Sequence, residues 1–141
     1  MDTLSHFYKD ITFNNIMKAH FRKYLDKEYK EASIVEIDRN LIDEDNLVIH
    51  RIHTNKYIFK TIHLVEKIKI NRKLKTYESS IHNYLYTENC KYFENSKGVD
   101  YIQNYSAPSI FKKKKEEVFK IGIQVIDNII NNLQLRNEIS I

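Results

Sequence analysis

An α+β domain is what the sequence predicts: a curved antiparallel sheet of about six to seven strands, closed by one long C-terminal helix and joined by a second helix near the N-terminus. Three observations carry the expectation. From Pro108 to Leu133 the apolar residues recur at three- and four-residue steps, the spacing of one helix face. Between Glu31 and Pro108 the period is near 2, the spacing of half-buried strands. The 141 residues include two glycines and one proline, so regular elements rather than long loops must make up the fold.

The closing helix is expected to start at Ala107-Pro108-Ser109, where proline cannot continue a ladder and serine can cap a first turn. Phe111, Val118, Ile121, Val125, Ile129 and Leu133 form its stripe. Phe119, Ile123, Ile126 and Ile130 widen it, so the helix lies across a large apolar surface. Its first turns carry Lys112, Lys113, Lys114 and Lys115. Cations there oppose the macrodipole at roughly 0.3 to 1 kcal/mol each close to the end, so the run invites an anion. The bland alternative is a lysine run repelled into water.

In chain order, Leu4 to Tyr8 reads as an edge strand. Asp10 or Thr12 then caps a helix whose inner face is Phe13, Ile16, Met17, His20, Phe21 and Tyr24 and which ends near Leu25. Lys18, Arg22 and Lys23 form its basic flank, with Lys23 near the end that favours cations. Strands at Ala32 to Arg39 and Leu47 to Thr54 pair antiparallel across the acidic turn Asp43-Glu44-Asp45-Asn46. A third strand turns Ile62, Leu64, Ile68 and Ile70 inward and His63, Val65, Lys67 and Lys69 outward. After Asn71-Arg72-Lys73, one long strand from Leu74 to Tyr86 puts Tyr77, Ile81 and Leu85 on one side. Glu88 to Glu94 and Val99 to Tyr105 complete the meander around Asn95-Ser96-Lys97-Gly98. Only the final helix can cover such a sheet. That is the helix-grip (START-like) arrangement, which can leave an apolar cavity between helix and strands.

Two charges break the strand alternation. Arg51 shares a row with Leu47 and Ile49, and Glu66 shares one with Leu64 and Ile68. Either they form a cross-strand ion pair, or the planar fork of Arg51 holds the head group of an anionic ligand.

Composition bounds the rest. With 42% hydrophobic and 12% aromatic residues, ten of them tyrosine, residues 1–141 read as a single globular domain. A net charge of +4 and a pI near 9.0 favour an acidic partner, nucleic-acid phosphate or lipid head group, without choosing between them. Cys90 stands alone, which excludes an internal disulfide, and is expected to pack within a strand. His6, His20, His50, His53, His63 and His82 show no metal-ligand spacing, and two glycines cannot build a phosphate loop or nucleophile elbow. No catalytic residue, metal or cofactor is therefore expected. Nothing near Met1 to Asp10 reads as a presequence, so the chain is expected to be soluble.

In several stretches the chain resembles the PRELI/MSF1 proteins of the mitochondrial intermembrane space. These are the strand with His6-Phe7, the helix ending Arg22-Lys23-Tyr24, and Arg39-Asn40-Leu41-Ile42-Asp43 followed by Asn46-Leu47 and Arg51-Ile52. Val65-Glu66 through Tyr86 and Lys120-Ile121-Gly122 to Leu133 continue the likeness. The resemblance implies transfer of phosphatidic acid or another anionic phospholipid between mitochondrial membranes, or within a reduced mitochondrion-derived organelle, alongside a small helical twin-cysteine partner. It also implies phosphate contacts at Lys23, at Arg51 and along Lys112 to Lys115. Where that family has a YPNP-like element, Tyr24 is followed here by Leu25-Asp26-Lys27. Its lid is cut down to Asn55-Lys56-Tyr57-Ile58-Phe59-Lys60. Tyr57, Ile58 and Phe59 are expected either to dip into a membrane, with Lys56 and Lys60 meeting anionic head groups, or to form a tight hairpin packed on the sheet.

Two other readings stand beside this one. Lys67, Lys69, Arg72, Lys73 and Lys75 lie near Tyr77, the composition of a sheet that binds single-stranded nucleic acid. The second is a scaffold that keeps the fold and binds lipid but, without the lid, does not transfer it.

Overall fold

The computed structural model describes residues 2–23, 33–56, 60–83 and 86–135. Strand β1 (Asp2–Lys9) leads into helix α1 (Phe13–Lys23). A meander follows: β2 (Ser33–Leu41), β3 (Asn46–Lys56), β4 (Thr61–Asn71), β5 (Thr76–His82), β6 (Thr87–Asn95) and β7 (Gly98–Ser106). A 3-10 turn (Ser109–Phe111) then opens into the long helix α2 (Lys112–Leu135). The seven strands form one sheet in the order β1-β7-β6-β5-β4-β3-β2, and every neighbouring pair is antiparallel. This is the expected helix-grip architecture. None of the described helices is long and apolar enough to cross a membrane.

Local chemistry accounts for where the elements begin. Thr12 Oγ1 accepts the Asn15 amide at 3.3 Å, the N-cap role expected of Asp10 or Thr12. A second acceptor was not legible in the sequence: Glu94 Oε2 of β6 takes the Phe13 amide at 3.1 Å and ties the start of α1 to the sheet. Asp10 instead adopts φ 56 and donates its amide to Lys97 O at 2.9 Å.

Three boundaries differ from expectation. The strand expected over Leu74 to Tyr86 is the shorter β5, because Asn71 Oδ1 accepts the Leu74 amide at 2.8 Å and Lys75 turns at φ 54 before pairing begins. At its far end β5 stops at His82, and Asn83 and Tyr86 exchange backbone hydrogen bonds of 2.8 and 3.3 Å. The closing helix begins at Lys112 rather than Ser109, so Lys112 to Lys115 constitute its first turn. Its stripe is also rotated: Phe111 and Ile121 are exposed, whereas Val125, Ile126 and Ile130 are buried. Tyr24, Leu25 and Leu85 lie outside the described residues.

The core is largely aromatic. Tyr8, Tyr77, Tyr92 and Tyr101 are buried on the concave face of the sheet. Tyr92 stacks on Tyr101 at 4.3 Å, and Tyr101 stacks on Phe119 of α2 at 5.7 Å. Buried His20 of α1 stands between two of these rings, with Nδ1 3.0 Å from Tyr92 Oη and Nε2 3.0 Å from Tyr77 Oη. Burial first, then the charges of Lys23 and Arg51, holds its pKa well below the ordinary value, so the imidazole is neutral and one nitrogen donates while the other accepts. The outward residues of β4, Lys67 and Lys69, are exposed as expected.

A candidate ligand site beneath the closing helix

A single cross-sheet row collects the charges. Pairing register runs Arg51, Glu66, Ile81, Glu88, Tyr105, Asp2 across strands β3, β4, β5, β6, β7 and β1. Three carboxylates therefore lie along one line of the inner face. Each faces a cation. Arg51 Nε donates to Glu66 Oε1 at 2.7 Å, and Nη2 lies 2.6 Å from the same oxygen. Lys115 Nζ is 3.1 Å from Glu88 Oε1, and Lys112 Nζ is 2.9 Å from Asp2 Oδ1.

This row answers the anomaly of the lysine-loaded helix start. Two of its four lysines meet carboxylates of the chain's own sheet, so part of the anion that the helix end invites is supplied internally. Arg51 resolves likewise in favour of the ion pair, joined by His53 Nε2 at 2.8 Å from Glu66 and by the Phe21 ring 5.8 Å beneath the guanidinium. Burial alone would raise the Glu66 carboxyl; the hydrogen bond from His53 and the charge of Arg51 outweigh it and hold the pKa below the ordinary value.

Beside this row lies a cavity of about 20 Å³. Val118, Phe119, Gly122, Ile123 and Ile126 of α2 form its apolar wall; Tyr8, Tyr101, Gln103, Lys23 and Lys115 complete it. Lys23 is the last described residue of α1, at the helix end where the dipole favours cations. Burial, with a smaller contribution from Arg51 and opposition from Glu88, lowers its pKa to about 8, so the ammonium persists at neutral pH. Glu88 does not line the cavity but holds two residues that do: besides pairing with Lys115 it accepts from the Gln103 side-chain amide, and also from Tyr86 Oη at 2.6 Å and Cys90 Sγ at 3.2 Å. That amide also lies 3.3 Å from Cys90 Sγ. Gln103 Oε1 is buried and has no hydrogen-bond partner among the described residues. An acceptor left so costs about 1 to 3 kcal/mol unless a donor reaches it.

Of the residues expected to bind an anion, the fold brings Lys23 and Lys115 together at the cavity. It commits Arg51 to Glu66 and Lys112 to Asp2, and it leaves Lys113 and Lys114 exposed on the outer side of α2. The side chain of Lys56, and Tyr57, Ile58 and Phe59, lie outside the described residues. β3 and β4 pair as far as Lys56 and Thr61, so Asn55 and Lys56, expected in the shortened lid, belong to β3. Gln103, Glu88 and Cys90 were missed as site residues; their signal was polar identity at inward positions of alternating strands. The nucleic-acid reading loses its aromatic platform, because Tyr77 is fully buried on the face opposite Lys67 and Lys69.

The class defined by this architecture is the helix-grip fold of the Bet v1-like kind. Protein TTHA0849 of Thermus thermophilus superposes with a TM-score of 0.61 at 8% identity, covering 96% of this chain and 97% of that one. The 18 kDa protein CC1736 of Caulobacter crescentus gives 0.58 at 7% identity, covering 96% and 95%. Ara h 8.0201 gives 0.56 at 14% identity, covering 93% and 98%. At such identities the likeness is one of fold. No protein-family model matches the chain. No curated protein matches it by sequence.

Proposed function

We propose that the protein binds an anionic amphiphile between α2 and the sheet and carries it without breaking a bond. One observation carries this reading: beneath the closing helix, two lysines and an unpartnered carboxamide oxygen share a cavity with an apolar wall. An anionic head group would meet Lys23 and Lys115, and a hydroxyl donor on the same head group would meet Gln103 Oε1. A phosphate monoester carrying one proton offers both, an anionic oxygen and a P–OH donor. The apolar tail would lie along Phe119, Ile123 and Ile126.

At about 20 Å³ the cavity accommodates one water-sized molecule, against roughly 300 to 1,000 Å³ for pockets that enclose small ligands. Loading therefore requires α2 to lift from the sheet. The Lys112–Asp2 and Lys115–Glu88 pairs fasten its first turn, and an incoming phosphate competes with Glu88 for Lys115. The two most evident reactive groups are both disarmed, Cys90 by burial that pushes its thiol up to about 12 and His20 by burial with both ring nitrogens on tyrosine hydroxyls, which supports a carrier over an enzyme.

The resemblance to PRELI/MSF1 proteins supplies the finer part of the proposal: phosphatidic acid as cargo, the mitochondrial intermembrane space as compartment, and a small helical twin-cysteine protein as partner. The test is transfer of labelled phosphatidic acid and phosphatidylcholine between liposomes, with lipid bound in solution measured by mass spectrometry. Selective movement of phosphatidic acid, reduced about 10-fold or more in Lys115→Ala and Lys23→Met, is expected from the loss of one charge-assisted contact. Failure to bind any anionic lipid in solution overturns the reading.

A further inference from the structure

The junction between β7 and α2 carries a surface feature that the cavity does not use. Ile110 is 79% exposed and Phe111 45% exposed, side by side in the 3-10 turn. The turn is fixed by Pro108 (φ −54, ψ 142) and by a 3.0 Å hydrogen bond from the Phe111 amide to Pro108 O. The two apolar side chains are thus presented by a closed turn rather than by a loose loop. Three and four residues beyond Ile110, on the same side of the helix, come Lys113 and Lys114, both exposed. Among the described residues neither has an ion-pair partner, whereas Lys112 and Lys115 turn toward Asp2 and Glu88. Exposed Lys60, just before β4, lies at the same end of the sheet.

We propose that this junction is a membrane-docking wedge: Ile110 and Phe111 enter the interfacial layer of a bilayer while Lys113 and Lys114 meet anionic head groups. Charge complementarity selects the occupant. Two apolar side chains flanked by unpaired ammonium groups match a bilayer whose surface is anionic and whose interior is apolar. A protein groove of purely apolar character would leave both lysines unanswered. Glu116 and Glu117 come two and three positions beyond Lys114, further from the starting end of the helix.

Placement gives the wedge a consequence for loading. It adjoins the first turn of α2, the turn held down by the Lys112–Asp2 and Lys115–Glu88 pairs. An anionic surface drawing on Lys112 weakens one of those fastenings where a lipid would enter. This last step rests on the carrier reading; the docking itself does not.

The test is flotation of the full chain with vesicles of phosphatidylcholine alone and of phosphatidylcholine doped with phosphatidylglycerol. The wild type is expected to float with the doped vesicles and to be released by high salt. Each lysine near an anionic surface multiplies partitioning about fivefold, so Lys113→Ala with Lys114→Ala lowers it by about 25-fold. Ile110→Ser with Phe111→Ser lowers it by about 10-fold or more. All four positions are exposed, and unchanged melting temperatures confirm that the variants fold. Equal flotation of wild type and variants, or no flotation with the doped vesicles, overturns the wedge; equal flotation would leave a protein partner as occupant of the patch. Lipid binding in solution, measured on the same preparations, separates the two proposals: a chain that holds anionic lipid but does not float refutes the wedge and leaves the carrier standing.

Discussion

Removing one member of the Arg51–Glu66 pair should be among the most destabilising polar changes in the molecule, and removing both should be nearly harmless. The side chains are 6% and 5% exposed, and both Nε and Nη2 of Arg51 converge on one Glu66 oxygen at 2.7 and 2.6 Å. In Glu66→Leu the guanidinium stays buried without its carboxylate, and in Arg51→Met the carboxylate keeps only His53. Breaking a buried pair from one side costs about 3 to 5 kcal/mol. For a chain of 141 residues that corresponds to a melting temperature lower by about 10 to 20 °C. In the double variant Met and Leu fill similar volume with no charge left to desolvate, and stability returns to within about 2 kcal/mol of the wild type or exceeds it. Urea unfolding followed by circular dichroism measures all four corners of the cycle. Single-variant losses that simply add in the double variant would mean that the two charges have separate partners, and the reasoning fails. The double variant also separates the roles assigned to Arg51: committed to Glu66, it is not needed for ligand, and lipid binding should persist within a few-fold.

Two further changes follow from single groups. Lys23 has a folded pKa of about 8 against its ordinary 10.5, so between those values the unfolded chain binds more protons and the penalty of burying the ammonium, fully present below pH 8, is relieved as pH rises. Lys23→Met should therefore be more stable than the wild type at pH 7 by on the order of 3 kcal/mol, an advantage that shrinks as pH rises above about 8; an advantage independent of pH refutes the assignment. At Gly98 a Cβ would lie 2.1 Å from Tyr8 O and 3.1 Å from Lys9 Cα, both backbone atoms of the paired strand β1. Gly98→Ala should cost about 3 kcal/mol or more and expose β1 amides to hydrogen exchange before the rest of the sheet; a loss under about 1 kcal/mol contradicts it.

The sequence by itself determined the order of elements, the inward rows of β3, β4 and β5 and the identity of the covering helix. Those follow from periodicity, a local property in which a residue's neighbours two or four positions away decide its face. It also singled out Arg51 and Glu66, because a charge in an apolar row is visible without coordinates. It misplaced the ends of β5 and the start of α2, where side chains such as Asn71 and a 3-10 turn override the periodic signal.

What only the tertiary structure decided is which charges answer which. Asp2, Glu88 and Glu66 are far apart in the chain and become one row through the register of six strands. Lys112 and Lys115 come opposite two of them because α2 crosses the concave face at one angle and height. Pairing of this kind depends on distances between atoms that no local pattern encodes. The lysine run, read alone, looked like a uniform anion trap; folded, it divides into two cations turned to the sheet and two left to the surface.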